Sequence, residues 1–308
     1  MIVGKVKEIW RYPVKSMRGE KLDRCAVEVS GIPGDRGWAL RDEKAGEIRG
    51  AKYMPQLLNC SSRYSEQPAD GRIPHVEITL PNGTLIGSEA PDVNSDLSKL
   101  LGREVSLHSL QPASNKAHYK RAQAGASVMS RLSRIKSLRP HLGTLIRFAG
   151  LDGPTREMFS RESNEPLPDL SDIPSELFEF TSPPGTYFDL APLHLLTTSS
   201  LSAMAQLNPE AKWDARRFRP NFLVETTNEI EGLVEANWGG RTLRLGDLTL
   251  KCSIPTVRCG MTMHAQAELP KDPSVLRTIV RAAEQCLGIY GSAIESSHVR
   301  VGDVVELL

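Results

Sequence analysis

The chain has 308 residues, and its 38 Lys and Arg against 37 Asp and Glu leave a formal net charge of +1. That balance gives no general pull toward nucleic acid or anionic lipid, and the apolar and charged fractions are those of an ordinary globular protein, which excludes fibrous and disordered classes. The length exceeds a typical single domain, so two domains are expected.

The N-terminus carries Lys5, Lys7 and Glu8 where a secretory signal needs an apolar core, and no stretch has membrane-spanning length. A cytoplasmic protein is therefore expected. β-branched and aromatic residues over 2–12, 24–30 and 36–42 predict strands, separated by Gly31-Ile32-Pro33-Gly34-Asp35 and Glu43-Lys44-Ala45-Gly46 turns. His75 to Leu80 alternates with period two and runs through Pro81-Asn82-Gly83 into Thr84-Leu85-Ile86, a hairpin. A short helix follows, capped near Asp92 or Asn94, with Leu97, Leu100 and Leu101 inward and Gly102 at its end. Residues 104–108 close this unit, whose boundary is placed at 110.

Residues 111–182 read as a helical insertion. From Lys116 to Arg147 there are eight Lys or Arg and no acid, and from Asp152 to Glu179 there are eight acids against Arg156 and Arg161. Mutual attraction of the halves is the simpler reading, and a docking surface for a charged partner is the alternative. Beyond the Ser182-Pro183-Pro184-Gly185 turn, residues 183–308 predict a strand over 188–198 and a helix from Ser199 or Ser200 to Leu207. Strands follow at 221–225, 241–245 and 248–252, then a helix around 275–287 and a last strand at 303–307. The fold class expected is α+β, predominantly β, with two β-barrel-like units flanking a helical insertion.

Cys25, Cys60, Cys252, Cys259 and Cys286 are odd in number and never form a Cys-x-x-Cys pair, which argues against a disulfide framework and a structural zinc site; no iron–sulfur cluster is expected. Cys259 is the first functional suspect. Beside Arg258, a thiolate is easier to ionise and serves as a nucleophile or soft metal ligand, although a free cysteine more often packs as a small hydrophobe. Lys15, Ser16, Arg36, Arg219 and Asn221 form a candidate anion-binding set next to bends made by proline or glycine. No phosphate loop and no Gly-x-Ser-x-Gly elbow is present. His194 reads as a core histidine or as an acid/base partner of Asp189, His264 as a weak candidate acid, and the four tryptophans as core.

Tyr12-Pro13-Val14-Lys15-Ser16, Gly34-Asp35-Arg36-Gly37-Trp38, Arg217-Phe218-Arg219-Pro220-Asn221, Arg258-Cys259 and Val301-Gly302-Asp303-Val304-Val305 occur in order. In this the chain resembles the MOSC family, the molybdenum-cofactor sulfurase C-terminal domain with its N-terminal β-barrel companion. The resemblance implies a molybdopterin cofactor at the interface of the two units, with molybdenum on Cys259. It also implies Lys15, Ser16, Arg36, Arg219, Asn221, Arg258 and Thr262 around the cofactor, Arg258 helping to keep the sulfur deprotonated.

Within the family the layout is similar to amidoxime-reducing enzymes. This implies reduction of N-hydroxylated or related N-oxygenated small molecules, with electrons from a separate ferredoxin- or cytochrome-like donor. The alternative is a carrier of sulfur or molybdenum cofactor on Cys259, which needs a cysteine desulfurase as partner. One departure stands out: Thr262-Met263-His264-Ala265-Gln266 follows the cysteine where reductase relatives carry Thr-Thr-Val-Asp-Pro, so Ala265 replaces an acid.

Overall fold

The computed structural model describes residues 1–69, 71–122, 130, 133, 135, 146 and 150–308. Its strands are β1 (Ile2–Arg11), β2 (Glu20–Leu22), β3 (Arg24–Val27), β4 (Trp38–Asp42), β5 (Glu47–Arg49), β6 (Ser61–Tyr64), β7 (Val76–Thr79), β8 (Leu85–Gly87) and β9 (Val105–Ser109). After the insertion come β10 (Leu193–Thr197), β11 (Phe222–Thr226), β12 (Thr242–Leu245), β13 (Leu248–Val257), β14 (Cys286–Ala293), β15 (Ser297–Arg300) and β16 (Val304–Leu307). The helices are α1 (Val93–Leu101), α2 (Lys116–Tyr119), α3 (Asp152–Phe159), α4 (Glu176–Glu179), α5 (Thr198–Leu207) and α6 (Pro273–Ala282).

Seven strands close a barrel in the order β11-β10-β14-β13-β12-β16-β1, sealed by pairing of β1 with β11. The β-rich α+β expectation therefore holds. The sealing strand comes from the other end of the sequence, and β3 likewise pairs with β15. Two register irregularities in β1, at Ile2/Gly4 and Val6/Glu8, reset the side-chain alternation. Val3, Val6 and Ile9, three apart rather than two, consequently all reach the barrel core with Leu195, Phe222, Val224, Leu250, Ile289 and Val305. Gly4 is required there, since a Cβ would stand 2.1 Å from the Glu225 carbonyl oxygen.

β2 pairs with β1, and the other N-terminal strands form two small sheets, β5-β4-β9 and β6-β7-β8, around Val14, Met17, Leu40, Leu57, Ile78 and Leu97. α1 ends as expected at Gly102, whose φ of 64° is the left-handed stop. α5 and α6 pack on the outside of the barrel through Met204, Phe218, Val275 and Ile279. α5 is capped by the Thr197 side chain accepting from Ser200 N, and α6 by Asp272 accepting from Ser274 N with Pro273 in its first turn.

β13 runs on to Val257, β2, β5, β6, β14 and β15 were not expected, and two other elements have shifted ends. The helix around 275–287 stops at Ala282, because Glu284 and Gln285 take φ of 47° and 68° and turn the chain into β14, which periodicity alone did not separate from the helix. The strand over 188–198 begins only at Leu193, just after Pro192, which has no N–H to give to a ladder, and Asp189 before it pairs instead with Lys15 Nζ at 2.5 Å.

The insertion enters and leaves through paired backbone, with Thr181 N donating to Tyr119 O at 2.8 Å and Arg121 N to Glu179 O at 2.9 Å. Its basic run, 116–147, lies largely outside the described residues. Trp38 and Trp238 fill cores as expected, whereas Trp10 and Trp213 are half-buried and stack on Tyr12 and Phe218.

Candidate functional site

A cavity opens where the Arg11–Met17 turn and the β3–β4 loop meet the end of the barrel carrying β10, β11 and β14. It is lined by Lys15, Ser16, Arg36, Arg219, Asn221 and Arg258, together with Tyr187, Asp189, His194, Phe218, Met261 and Tyr290. Six residues singled out from four separate segments thus share one space. Cys259 and Thr262 are not among the lining residues. Cys259 sits half-buried between Arg258 and the Gly260–Met263 turn, and the Thr262 hydroxyl donates to the Cys259 carbonyl at 3.1 Å.

Backbone strain concentrates here. Ser16, Arg36 and Arg219 adopt φ of 70°, 50° and 55°, a region that disfavours side chains by on the order of 1–3 kcal/mol each. Local contacts hold each of them. Ser16 Oγ accepts from Ala51 N at 2.9 Å, Arg36 N donates to Tyr12 O at 2.7 Å, and Arg219 N donates to Ala215 O at 3.1 Å. Both guanidinium groups lie over the Tyr12 ring, at 4.5 and 4.1 Å from its centroid. Arg36 pairs with Asp35 and reaches Asn221 Oδ1 at 3.3 Å, while Asn221 Nδ2 donates to Asp35 Oδ2 at 3.0 Å.

Arg219 is the least satisfied member. One amine donates to Met17 O at 2.5 Å, and its Nη2 is buried with no acceptor. Burial and the neighbouring Arg36 bring its pKa down to about 10. Lys15 Nζ bonds Tyr187 O at 2.8 Å and Asp189 Oδ1 at 2.5 Å. The surrounding protein alone would raise the Asp189 carboxyl, but Lys15, with Lys52 and Arg36, holds it well below the usual carboxylate range.

His194 is hydrogen-bonded to Arg258, whereas Asp189 is paired with Lys15. Its Nε2 lies 2.6 Å from Arg258 Nη2, and because Arg258 only donates, Nε2 is the acceptor and the ring is neutral. Burial and the Arg258 charge push its pKa well below the ordinary value, which removes it as an acid/base partner of Asp189. Gly288 makes this contact possible: at φ of 84°, a Cβ would stand 2.3 Å from His194 Nε2.

Arg258 spends its other donors on Leu287 O at 2.7 Å and Phe218 O at 3.1 Å, and it makes no hydrogen bond to Cys259. It lies within electrostatic range of the sulfur. Two further cations lie near the cysteine and were missed. Arg161 of the insertion donates to Arg258 O at 2.8 Å, and Lys52 lies within electrostatic range of both Cys259 and Asp189. Arg217, fully buried, ties Lys212, Thr262, His264 and Pro270 carbonyls together and so fixes the loop after Cys259. Ala265 is exposed on that loop, and His264 is half-buried outside the cavity.

All five cysteines are free; burial pushes Cys25, Cys60 and Cys252 up to about 12, 11 and 12, marking them as inert. Among the described residues no three His, Cys, Asp or Glu gather into a metal-holding group, and no helix is long and apolar enough to cross a membrane.

Residues 184–306 match the MOSC domain, and residues 3–104 match the MOSC N-terminal beta barrel domain. The chain is a MOSC-domain protein. Residues 105–183 lie outside both matches, so the MOSC insertion coincides with the stretch that supplies Arg161 and Asp152.

The MOSC chain is similar to mitochondrial amidoxime reducing component 2 from Homo sapiens, 26% identical over 98% of this chain and 83% of that protein. The Macaca fascicularis protein of that name is 27% identical with the same coverage. The Bos taurus protein is 25% identical over 84% of this chain, which spans 66% of that relative's length. Among solved structures, the YUAD protein from Bacillus subtilis covers 99% of this chain and 95% of its own at 10% identity and a TM-score of 0.41. YiiM from Escherichia coli covers 38% and 54% at 20% identity and a TM-score of 0.29.

Proposed function

We propose that this protein is a molybdenum-cofactor oxidoreductase that reduces N-hydroxylated small molecules with electrons from a separate donor protein. The relatives' names carry the reaction class, and the charge pattern around Cys259 supports the cofactor. Arg161 and Arg258 are buried, and all their hydrogen bonds go to uncharged acceptors, while Arg219 Nη2 has none. Buried cations in that state are costly unless an anion joins them. An anionic cofactor anchored on one thiolate fits, since among the described residues no group of three His, Cys, Asp or Glu gathers to hold a metal.

Cys259 would hold the metal, Arg219, Arg36, Lys15, Ser16 and Asn221 the pterin and its phosphate, and Arg258 the charge beside the sulfur. The cofactor, when bound, supplies the two-electron redox step. The overall reaction balances as R–NHOH plus two electrons and two protons giving R–NH2 and water. The chain's own residues position and insulate. Arg217 and Thr262 hold the cysteine turn, Tyr12 buttresses the two arginines, and neutral His194 braces Arg258 without offering a second charge. Asp189, kept ionised by Lys15, is the acid that faces the cavity in a chain where Ala265 points elsewhere.

The test is molybdenum and pterin content of protein from a host that makes the cofactor, with Cys259→Ala in parallel, followed by turnover of an N-hydroxylated amidine with a chemical reductant. Near-stoichiometric molybdenum lost in the variant, together with wild-type turnover, is the expected result. Full loading without turnover, accompanied by passage of sulfur or cofactor to an acceptor enzyme, would replace the reductase with a carrier.

A further inference from the structure

The insertion is placed directly against the cysteine. Ser160, at φ of 52°, sits over Gly260 so closely that a Cβ on the glycine would fall 2.1 Å from Ser160 Oγ. The segment is pinned from three sides: Arg161 Nε to Gln285 Oε1 at 2.7 Å, Arg277 to Glu165 Oε2 and to Ser160 O, each at 2.5 Å, and Gln285 Nε2 to Leu167 O at 3.3 Å. With Glu165 buried and Arg277 half-buried around this ion pair, this is a fixed wall rather than a loose strap.

Against that wall stands Lys52, with its ammonium 5.5 Å from the centroid of the Phe159 ring. Its electrostatic neighbours are Cys259, Asp189, Arg121 and Lys15. Asp189 is already bonded by Lys15, and Lys52 has no ion pair or hydrogen bond of its own among the described residues. A half-buried ammonium near Cys259 with no counter-charge of its own is poised to take an anion.

We propose that Lys52, held against Phe159 of the insertion, receives an anionic group of the substrate near Cys259, so that the site selects N-hydroxylated molecules bearing a carboxylate or similar anion. This rests on the reductase reading for the reacting group but not for the anion. Phe159 is a positioning residue, since it touches the ammonium rather than the substrate.

The experiment pairs an N-hydroxylated aryl amidine with its para-carboxylate and compares kcat/KM for wild type, Lys52→Met, Lys52→Arg and Phe159→Leu. Wild type should prefer the carboxylate about tenfold, Lys52→Met should lose the preference, Lys52→Arg should keep it, and Phe159→Leu should erode it. Calorimetry without reductant, using 4-amidinobenzoate against benzamidine on the cofactor-loaded protein, reads the same recognition without turnover. A calorimetric preference that depends on Lys52 in a protein without reductase activity would sink the reductase and leave this inference standing. No preference in wild type, or a preference surviving in Lys52→Met, overturns it. So does loss of molybdopterin from Lys52→Met with unchanged selectivity in the loaded fraction, which would assign Lys52 to the cofactor phosphate.

Discussion

Arg219 combines a strained backbone, a flanking arginine and a buried amine with no acceptor. A hydrogen bond to a charged group contributes about 1.5–3 kcal/mol, so Arg219→Gln should lower cofactor retention by roughly 10–100-fold, read as molybdenum per chain after gel filtration. Glu235 is the opposite case, a buried acid serving structure. It accepts from Thr197 Oγ1 at 2.7 Å and Ser200 Oγ at 2.5 Å, its second oxygen has no partner, and burial raises its pKa. An acid raised in the folded state destabilises increasingly as pH climbs from the unfolded value, about 4.3, through the folded one. Glu235→Gln should therefore melt higher than wild type at pH 8, with the gap closing toward pH 4; a constant gap would contradict the assignment. Ionised residues on the signature motifs were legible because cations next to Pro and Gly are informative in sequence. Lys52 and Arg161 were not, since each is an ordinary surface-type residue until tertiary structure removes its counter-charge.

At the scale of elements, two glycines carry the site. Gly288→Ala would drive a methyl into His194 and toward Leu195 O, 2.7 Å away, at a φ already unfavourable for a side chain. The expected loss is about 2–4 kcal/mol or more, seen as a fall in denaturant midpoint. Gly260→Ala would press on Ser160, so limited proteolysis should then cut within 150–170 while the barrel remains resistant; equal resistance to wild type would argue against the wall. Sequence periodicity located β7, β8, α1, α5 and β12 well, because each is bounded by its own cap or turn. It merged the end of α6 with β14, since Ala282, Ala283 and Leu287 continue a helical pattern and only the left-handed Glu284 and Gln285 break it. Nothing in their residue types announces that break.

His108 and His118 mark the joint between the small sheets and the insertion, their rings 5.1 Å apart. Burial lowers both, His118 to about 4 with His108 contributing. A histidine depressed in the folded state loses stability as pH falls from about 6.5 toward about 4. His118→Phe should flatten the acid limb of the stability profile in that window, measured by melting temperature against pH. An unchanged limb would place the acid sensitivity elsewhere.

For the molecule as a whole, the decisive contact is the one between chain ends. Residues 183–308 expressed alone lack β1, leaving the facing edges of β11 and β16 open, and exposed edges invite association. That fragment should aggregate or unfold without cooperativity, and adding residues 1–12 in trans should restore a sharp transition. The β-rich class was readable from composition and turn spacing. That the first strand belongs with the last was not, because pairing partners in a sheet leave no mark on either strand except a shared apolar face.

The Met1 ammonium bonds the Leu307 carbonyl at 2.9 Å, which orders events during synthesis. β1 leaves the ribosome first and waits for β16, roughly 15–60 s later at ordinary elongation rates. Until then the barrel has a gap, and the Arg11–Met17 turn has nothing to close against. Any guest that touches both sides would be taken up only after β16 has been made, and a product stalled before β16 should hold none.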